Sequence, residues 1–240
     1  MNISKYTKPA RKLLPLRRCG AVIVAAGSAS RMGGIDKVMA ELRGEPMIVH
    51  TVRAFQNCDA IAEIVIVTRE DLILPITGLC RAFDKVTAVV VGGSSRQESV
   101  ALGMNALSDK CRLAAIQDGA RPLVTWQLID RVVRAAHAYH AAIPVIPVKD
   151  TIKICDSALV ESTPDRSTLR AVQTPQVFDF DLLRGALKQA EIDGAEVTDD
   201  CSAVERLGMT VKIVEGDERN LKITTPFDLK IAEMLMEENA

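Results

Sequence analysis

A chain of 240 residues that is 48% hydrophobic and 25% charged has the composition of a soluble globular protein with a sizeable core, either one large domain or one domain with an appendage. A net charge of −1 leaves no global field to recruit nucleic acid or an anionic membrane, and 3% aromatic residues leave little for stacking platforms. Cys19, Cys58, Cys80, Cys111, Cys155 and Cys201 form no C-x-x-C pair and no zinc spacing with His50, His137 or His140, which reads as reduced thiols in a cytoplasmic protein.

Residues 1–18 hold six Lys/Arg and no acid, without the apolar core of a secretory signal, and predict a disordered, solvated tail. No apolar run is long enough to span a membrane. Beyond the tail, apolar runs alternate with helix-period segments, the pattern of a mainly parallel sheet covered by helices. Strands are predicted at 21–25, 61–67, 86–91, 113–117 and 142–148. Helices are predicted at 46–55, with Ile48, Val52 and Phe55 on one face, and at 96–107, opened by a Ser95/Glu98 capping box. A third helix at 126–139 carries Leu128, Val132, Ala135 and Tyr139 at helical spacing.

After Val148 the rhythm changes. Residues 151–155 and 158–161 alternate around Asp156-Ser157, which predicts a hairpin, and 169–173 looks extended again. This stretch has too few apolar residues for a core of its own, so an arm at about 149–172 that packs on another subunit is expected. Helices near 181–191 and 198–207, a strand at 211–214 and a last helix from Pro226, capped by Thr225, complete the chain. The expectation is one domain over 19–240, arm included, with no second enzyme fused behind it.

The loop after the first strand carries the strongest chemical signal. Gly27-Ser28-Ala29-Ser30 is small enough for backbone N–H groups to approach an anion, and Arg31 and Lys37 add cations. Taken alone it could be an ordinary βα connection. It is not a P-loop, because its lysine follows Ile35-Asp36 rather than glycine. Ala29 occupies the second glycine of the dinucleotide fingerprint, so that motif fails too, and with it a nicotinamide-dependent reductase. Gly92-Gly93-Ser94-Ser95-Arg96, with Ser99 beyond, follows the third strand, and Asp118-Gly119-Ala120-Arg121-Pro122 follows the fourth. An open α/β sheet gathers such strand-end loops around one crevice.

The runs A-A-G-S-A-S-R-M, G-G-S-S-R-Q-E-S-V, D-G-A-R-P, P-V-K-D-T, P-D-R, Q-T-P-Q-V-F, V-T-D-D-C-S-A-V-E and V-E-G-D-E-R-N-L-K-I-T-T-P-x-D-L occur here in one order. From about Gly20 to the C-terminus the chain resembles the 2-C-methyl-D-erythritol 4-phosphate cytidylyltransferases. That resemblance implies an α/β, Rossmann-like three-layer sandwich with a mostly parallel sheet and a protruding β-arm for dimerisation. It also implies a homodimer, CTP and a polyol phosphate as substrates, and Mg²⁺ carried mainly by the triphosphate without direct protein ligands.

Residue by residue, the resemblance implies that Arg31 and Lys37 hold the triphosphate, beside the backbone of Ala25, Ala26 and Gly27. Gly92, Gly93 and Ser99 would read cytosine. Asp118, Gly119 and Arg121 would meet the sugar-phosphate substrate and the ribose side of the nucleotide. Thr151 and Arg166 would come from the neighbour's arm to the substrate phosphate, while Thr174, Thr198 and Lys222 complete the substrate and α-phosphate pocket. Ser95 stands where the family often has an acid, Gly119 where alanine is usual, and Asp36 precedes Lys37 where Asn or Pro is usual.

Such a reaction needs no strong general base. A phosphate monoester has its second pKa near about 6 and is already an anion at neutral pH. The obstacle is repulsion between anions, which accounts for clustered cations without a Ser/His/Asp arrangement. A ribitol-5-phosphate cytidylyltransferase would use the same nucleotide loops, and a nucleotide-binding protein without catalysis would keep the fold alone.

Overall fold

The computed structural model describes residues 16–27 and 36–237. Arg31, Ala29 and Ser30 therefore lie outside the described residues, as does most of the basic tail. The chain runs from β1 (Cys19–Val24) through a 3₁₀ turn at Lys37–Met39 and a tiny hairpin, β2 (Glu41–Leu42) and β3 (Glu45–Pro46). There follow α1 (Met47–Gln56), β4 (Ile61–Thr68), α2 (Ile73–Leu79), β5 (Val86–Val91), α3 (Arg96–Ala106), β6 (Leu113–Asp118), α4 (Trp126–Tyr139) and β7 (Ala141–Pro147). The second part holds β8 (Ile154–Asp156), β9 (Leu159–Ser162), β10 (Arg170–Val172), β11 (Gln176–Asp179), α5 (Phe180–Ile192), α6 (Asp200–Glu205), β12 (Lys212–Glu215) and α7 (Pro226–Glu237).

Eight strands form one mixed sheet in the order β10-β7-β11-β6-β1-β4-β5, with β12 also on β7. The predicted run of parallel strands is its centre: β6, β1, β4 and β5 pair parallel. Alternation within these strands separates two cores. Ala21, Ile23, Ile64, Ile66, Leu113 and Ala115 face α1, α2 and α4. Val22, Val65, Val67, Ala114 and Ile116 face α3, α5 and α6. A strand covered on both faces reads as a continuous apolar run because neither face meets water. Burial of each large side chain stabilises the sandwich by about 1.5–3 kcal/mol, and Phe55 and Phe178 are completely buried.

The structure corrects several sequence expectations. Arg17 and Arg18, assigned to the disordered tail, belong to the packed body. Arg17 Nη1 donates to Asp179 Oδ2 at 2.7 Å, and the Arg18 carbonyl accepts from Arg112 N at 2.8 Å. The capping box on α3 is half formed: Ser95 Oγ accepts from Glu98 N, but the Glu98 carboxylate turns to Ser94 N and Oγ at 2.7 Å. Tyr139 is exposed and lies under Lys212 Nζ, while Ile129, Val133 and Ala136 join Leu128 and Val132 on the buried face of α4. The helix expected at 198–207 is shorter, because Asp199 caps it from outside.

An element that sequence patterning revealed only in its first half, and assigned to the arm rather than to the main sheet, shapes the cleft. Residues 170–179 run antiparallel beside β7, broken between β10 and β11 at Gln173-Thr174-Pro175, where the Thr174–Pro175 bond is cis. Four strand residues carry too little alternation to announce β11, yet it fills the space between β7 and β6. The hairpin β8–β9 behaves differently. It pairs with no strand of the main sheet, and every residue in it is exposed.

Candidate active site

The ends of β1, β5 and β6 open onto one cleft. Ala25 N donates to Val67 O at 2.7 Å and Gly119 N to Val24 O at 2.9 Å, so the loops after β1 and β6 stay on the sheet for one more residue. Thr51 Oγ1 of α1 donates to Gly119 O and fixes it from below. A Cβ at Gly92 would stand 2.6 Å from Ala26 Cβ and 2.9 Å from Ser99 Oγ. Only glycine allows the two loops to approach so closely. Ser99 Oγ in turn accepts from Gly93 N at 3.1 Å and donates to Ser95 O at 2.9 Å.

These loops enclose a first chamber of about 440 Å³, lined by Ala25, Ala26, Gly27, Lys37, Gly93, Ser99 and Gly119 among others. Gly92 stands behind this wall rather than in it. Lys37 is placed by Asp36, whose carboxylate accepts from Val38 N at 3.0 Å and also pairs with Arg69 just past β4. That pairing gives Asp36 its structural reason. Ser95, in the position where an acid is frequent in the family, acts as the N-cap of α3.

A second chamber of about 490 Å³ adjoins the first, lined by Arg121, Gln173, Thr174, Gln176, Thr198 and Asp199 among others. Three side chains line both: Arg96, Asp118 and Lys222. Asp118, the last residue of β6, is 8% exposed. Its Oδ2 lies 3.0 Å from Lys222 Nζ and 3.3 Å from Arg121 Nε, and its backbone N donates to Thr174 Oγ1 at 3.1 Å. Burial by itself would raise this carboxyl. The charges of Lys222, Arg121 and Arg96 outweigh it and hold the pKa below the ordinary aspartate value. Asp118 is thus an anion whose main work is to gather cations, and it is a poor proton acceptor.

Lys222 reaches this point because the segment before α7 is strapped across the end of β6. Ile223 N donates to Ala120 O at 2.8 Å, Asn220 Nδ2 to Thr174 O at 2.9 Å, and Arg121 Nη1 to Asn220 O at 2.6 Å. Asn220 is completely buried. Of the residues singled out from sequence, Lys37, Asp118, Gly119, Arg121, Thr174, Thr198 and Lys222 converge with the glycine-rich loops. Thr151 and Arg166 do not; they lie on the exposed arm, where Arg166 Nη1 donates to Lys149 O at 2.6 Å. Sequence reasoning assigned no role to Arg96, Gln176, Asp199 or Asn220. All four lie inside the quoted runs, but only folding shows that they point into or brace one cleft.

A still larger cavity, about 570 Å³, lies between α3 and α5 around Gln97, Met104, Leu187 and Lys188. It shares Ser95 with the first chamber but contains none of the three side chains at the junction.

A family model described as 2-C-methyl-D-erythritol 4-phosphate cytidylyltransferase matches residues 19–238. The chain belongs to that family. A relative of this description from Symbiobacterium thermophilum is 45% identical over 221 residues, 91% of this chain and 93% of the relative. Another, from Caldanaerobacter subterraneus subsp. tengcongensis, is 42% identical over 225 residues, covering 90% and 97%. The crystal structure of 4-diphosphocytidyl-2C-methyl-D-erythritol synthase from Anaerococcus prevotii superposes with a TM-score of 0.83 at 31% identity, over 92% of this chain and 96% of that one. The chain is therefore a cytidylyltransferase with the α/β fold of its family. Among the described residues, no helix is long and apolar enough to cross a membrane.

Proposed function

We propose that this enzyme transfers CMP from CTP to 2-C-methyl-D-erythritol 4-phosphate, releasing pyrophosphate, with one substrate in each chamber of the cleft. The observation that carries this reading is the shared wall. Two chambers that meet at Arg96, Asp118 and Lys222 bring two substrates together at a point rich in cations. CTP takes the first chamber, its base beside Gly93 and Ser99 and its triphosphate along Gly27 and Lys37. The polyol takes the second, with its hydroxyls toward Thr174, Thr198 and Asp118 and its phosphate at the junction.

An oxygen of the substrate phosphate attacks the α-phosphorus of CTP. The new P–O bond forms as the bond to the β-phosphate breaks, and pyrophosphate departs with the electron pair. No proton has to move, because the attacking oxygen is already ionised. The barrier is electrostatic, and Lys222 and Lys37 offset it on the two sides of the phosphorus. Arg31, between the small-residue loop and Lys37, adds a third charge. Asp118 keeps Lys222 over the junction before substrate arrives.

The site suits a Mg²⁺ ion that arrives on the nucleotide. Among the described residues, Asp118 is the one carboxylate lining the first chamber, and no three His, Cys, Asp or Glu side chains converge as a ligand set. Magnesium is commonly held by substrate phosphates with at most one or two carboxylates. When bound, the ion would neutralise triphosphate charge, with Asp118 toward its water shell.

The active unit is a homodimer in the cytoplasm, and Thr151 and Arg166 complete the partner's second chamber. Support comes from the hairpin β8–β9, whose Ile154, Leu159 and Val160 are 49%, 77% and 60% exposed in the single chain. A guanidinium there can take a phosphate bidentately. The deciding experiment is pyrophosphate release with CTP and a panel of polyol phosphates. Turnover with methylerythritol phosphate is expected, CTP being preferred over ATP and GTP; turnover with ribitol 5-phosphate alone, or with none, overturns the assignment.

A further inference from the structure

The V-T-D-D run supplies Thr198 to the second chamber and leaves two aspartates to explain. Asp199 has structural work: it caps α6, accepting from Ser202 N at 2.9 Å, and its other oxygen accepts from Gln176 Nε2 at 2.8 Å. Asp200 does neither. It is 1% exposed, and its Oδ2 accepts from Arg96 Nη2 at 2.6 Å across 104 residues of sequence. Among the described residues this is the one group bonded to the Arg96 guanidinium. The rest of that fork is left to the junction where Arg96 lines both chambers.

A purely structural clasp between α3 and α6 explains the pair poorly. The start of α6 is already tied to the sheet, since Gln176 bonds Asp199 through its nitrogen and accepts from Cys201 N through its oxygen at 2.9 Å. The start of α3 has its own cap in Ser95. A buried ion pair is also a weak source of stability compared with an apolar pair of the same shape. What the pair does achieve is to fix a long, mobile cation before substrate binds, which lowers the cost of ordering it in the transition state.

We propose that Asp200 is a positioning residue for cytidylyl transfer, holding the Arg96 guanidinium at the junction of the two chambers so that its remaining N–H groups meet the phosphate at which the substrates join. This rests on reading the cleft as the cytidylyltransferase site. Asp200 touches no substrate; it acts through Arg96.

The test is a double-mutant cycle on pyrophosphate release from CTP and methylerythritol phosphate, with thermal unfolding measured on each variant. Asp200→Asn keeps the shape of the side chain and removes its charge. It is expected to lower kcat by about tenfold or more, with a smaller change in KM; loss of the buried pair also lowers Tm, so kcat is compared at a temperature where the variant stays folded. Arg96→Ala is expected to cost more, and adding Asp200→Asn to it to change kcat/KM by less than about twofold. Wild-type kcat in Asp200→Asn, or effects that multiply in the double variant, overturns the proposal. If Asp200→Asn does not fold, Arg96→Lys carries the test: a loss of about tenfold in kcat is required, and wild-type kcat overturns it. An inactive wild-type enzyme would defeat the reading of the cleft itself, and the positioning role with it. An active wild type with multiplicative effects defeats the positioning role alone.

Discussion

The cleft and the arm of this enzyme are built on opposite terms. In the cleft, every charged side chain at the junction is committed to another part of the same chain: Asp118 to Lys222 and Arg121, Arg121 to Asn220, Arg96 to Asp200. In the arm, apart from Lys149, which pairs with Glu218, and β10, which joins β7, contacts are local and exposed. Arg166 bonds the backbone of Lys149, Lys153 bonds Thr163, and Asp165 caps its own 3₁₀ turn. A buried network can hold geometry in the isolated chain because removing any partner leaves an unpaired group in low dielectric. Local surface bonds compete with water and hold little. The difference lets the body hold the geometry of the cleft in a single chain, and leaves the hairpin's side chains exposed.

The comparison breaks most sharply at Lys222. Lys222→Ala removes the cation proposed to act in the transition state and strips Asp118 of its nearest charge, so kcat is expected to fall by about 10²–10³-fold with the fold retained. Steady-state pyrophosphate release and circular dichroism check this; activity within about threefold of wild type would move the chemistry elsewhere.

The arm's share of the site is exposed by subunit mixing. Lys37→Ala and Arg166→Ala homodimers should each be nearly inactive. If the arm serves its neighbour, a mixed dimer concentrates both defects in one site and leaves the other intact. Mixed dimers verified by mass should then recover toward half of wild-type activity. Dimers as inactive as their parents would put Arg166 in its own chain's site.

A pH dependence follows from the depressed Asp118 carboxyl. Its folded pKa lies below the unfolded value, so its stabilising contribution is complete above about pH 4 and is lost as pH falls through the folded pKa. Lys222→Met removes a charge that opposes burial, which raises the folded pKa. The variant should then start less stable at neutral pH and lose less stability as pH falls, a shallower acid limb, measured by urea unfolding at a series of pH values below about 6. An unchanged acid limb would mean that Arg121 and Arg96 suffice for Asp118.

A last pair of variants contrasts packing in the two regions. Phe178→Ala, in the core between the sheet and α5, should cost about 3–5 kcal/mol. Leu159→Ser, on the exposed hairpin, should change the stability of the single chain by less than about 0.5 kcal/mol. The same Leu159→Ser should weaken self-association if that surface is covered by a second subunit, read by sedimentation at several concentrations.

Local pattern alone determined the central strands, the helices over them and the positions of the phosphate-directed loops. Strands covered on both faces are apolar throughout, amphipathic helices repeat every three to four residues, and caps and glycines mark the ends. For the same reason β4, β5, β6 and α4 lie within a residue or so of their expected bounds. Convergence of strand ends placed Lys37 and Asp118 near one crevice, and only the family resemblance added Lys222. Tertiary structure decided what those patterns do not encode. The short strand β11 exists because β6 and β7 leave a gap for it, and Tyr139 is outside because α4 presents a neighbouring stripe to the sheet. Arg96 meets Asp200, and Asp118 meets Lys222, only because sheet order brings distant segments together. Each side chain carries its charge in the sequence, but the partner that sets its pKa and orientation is chosen by packing.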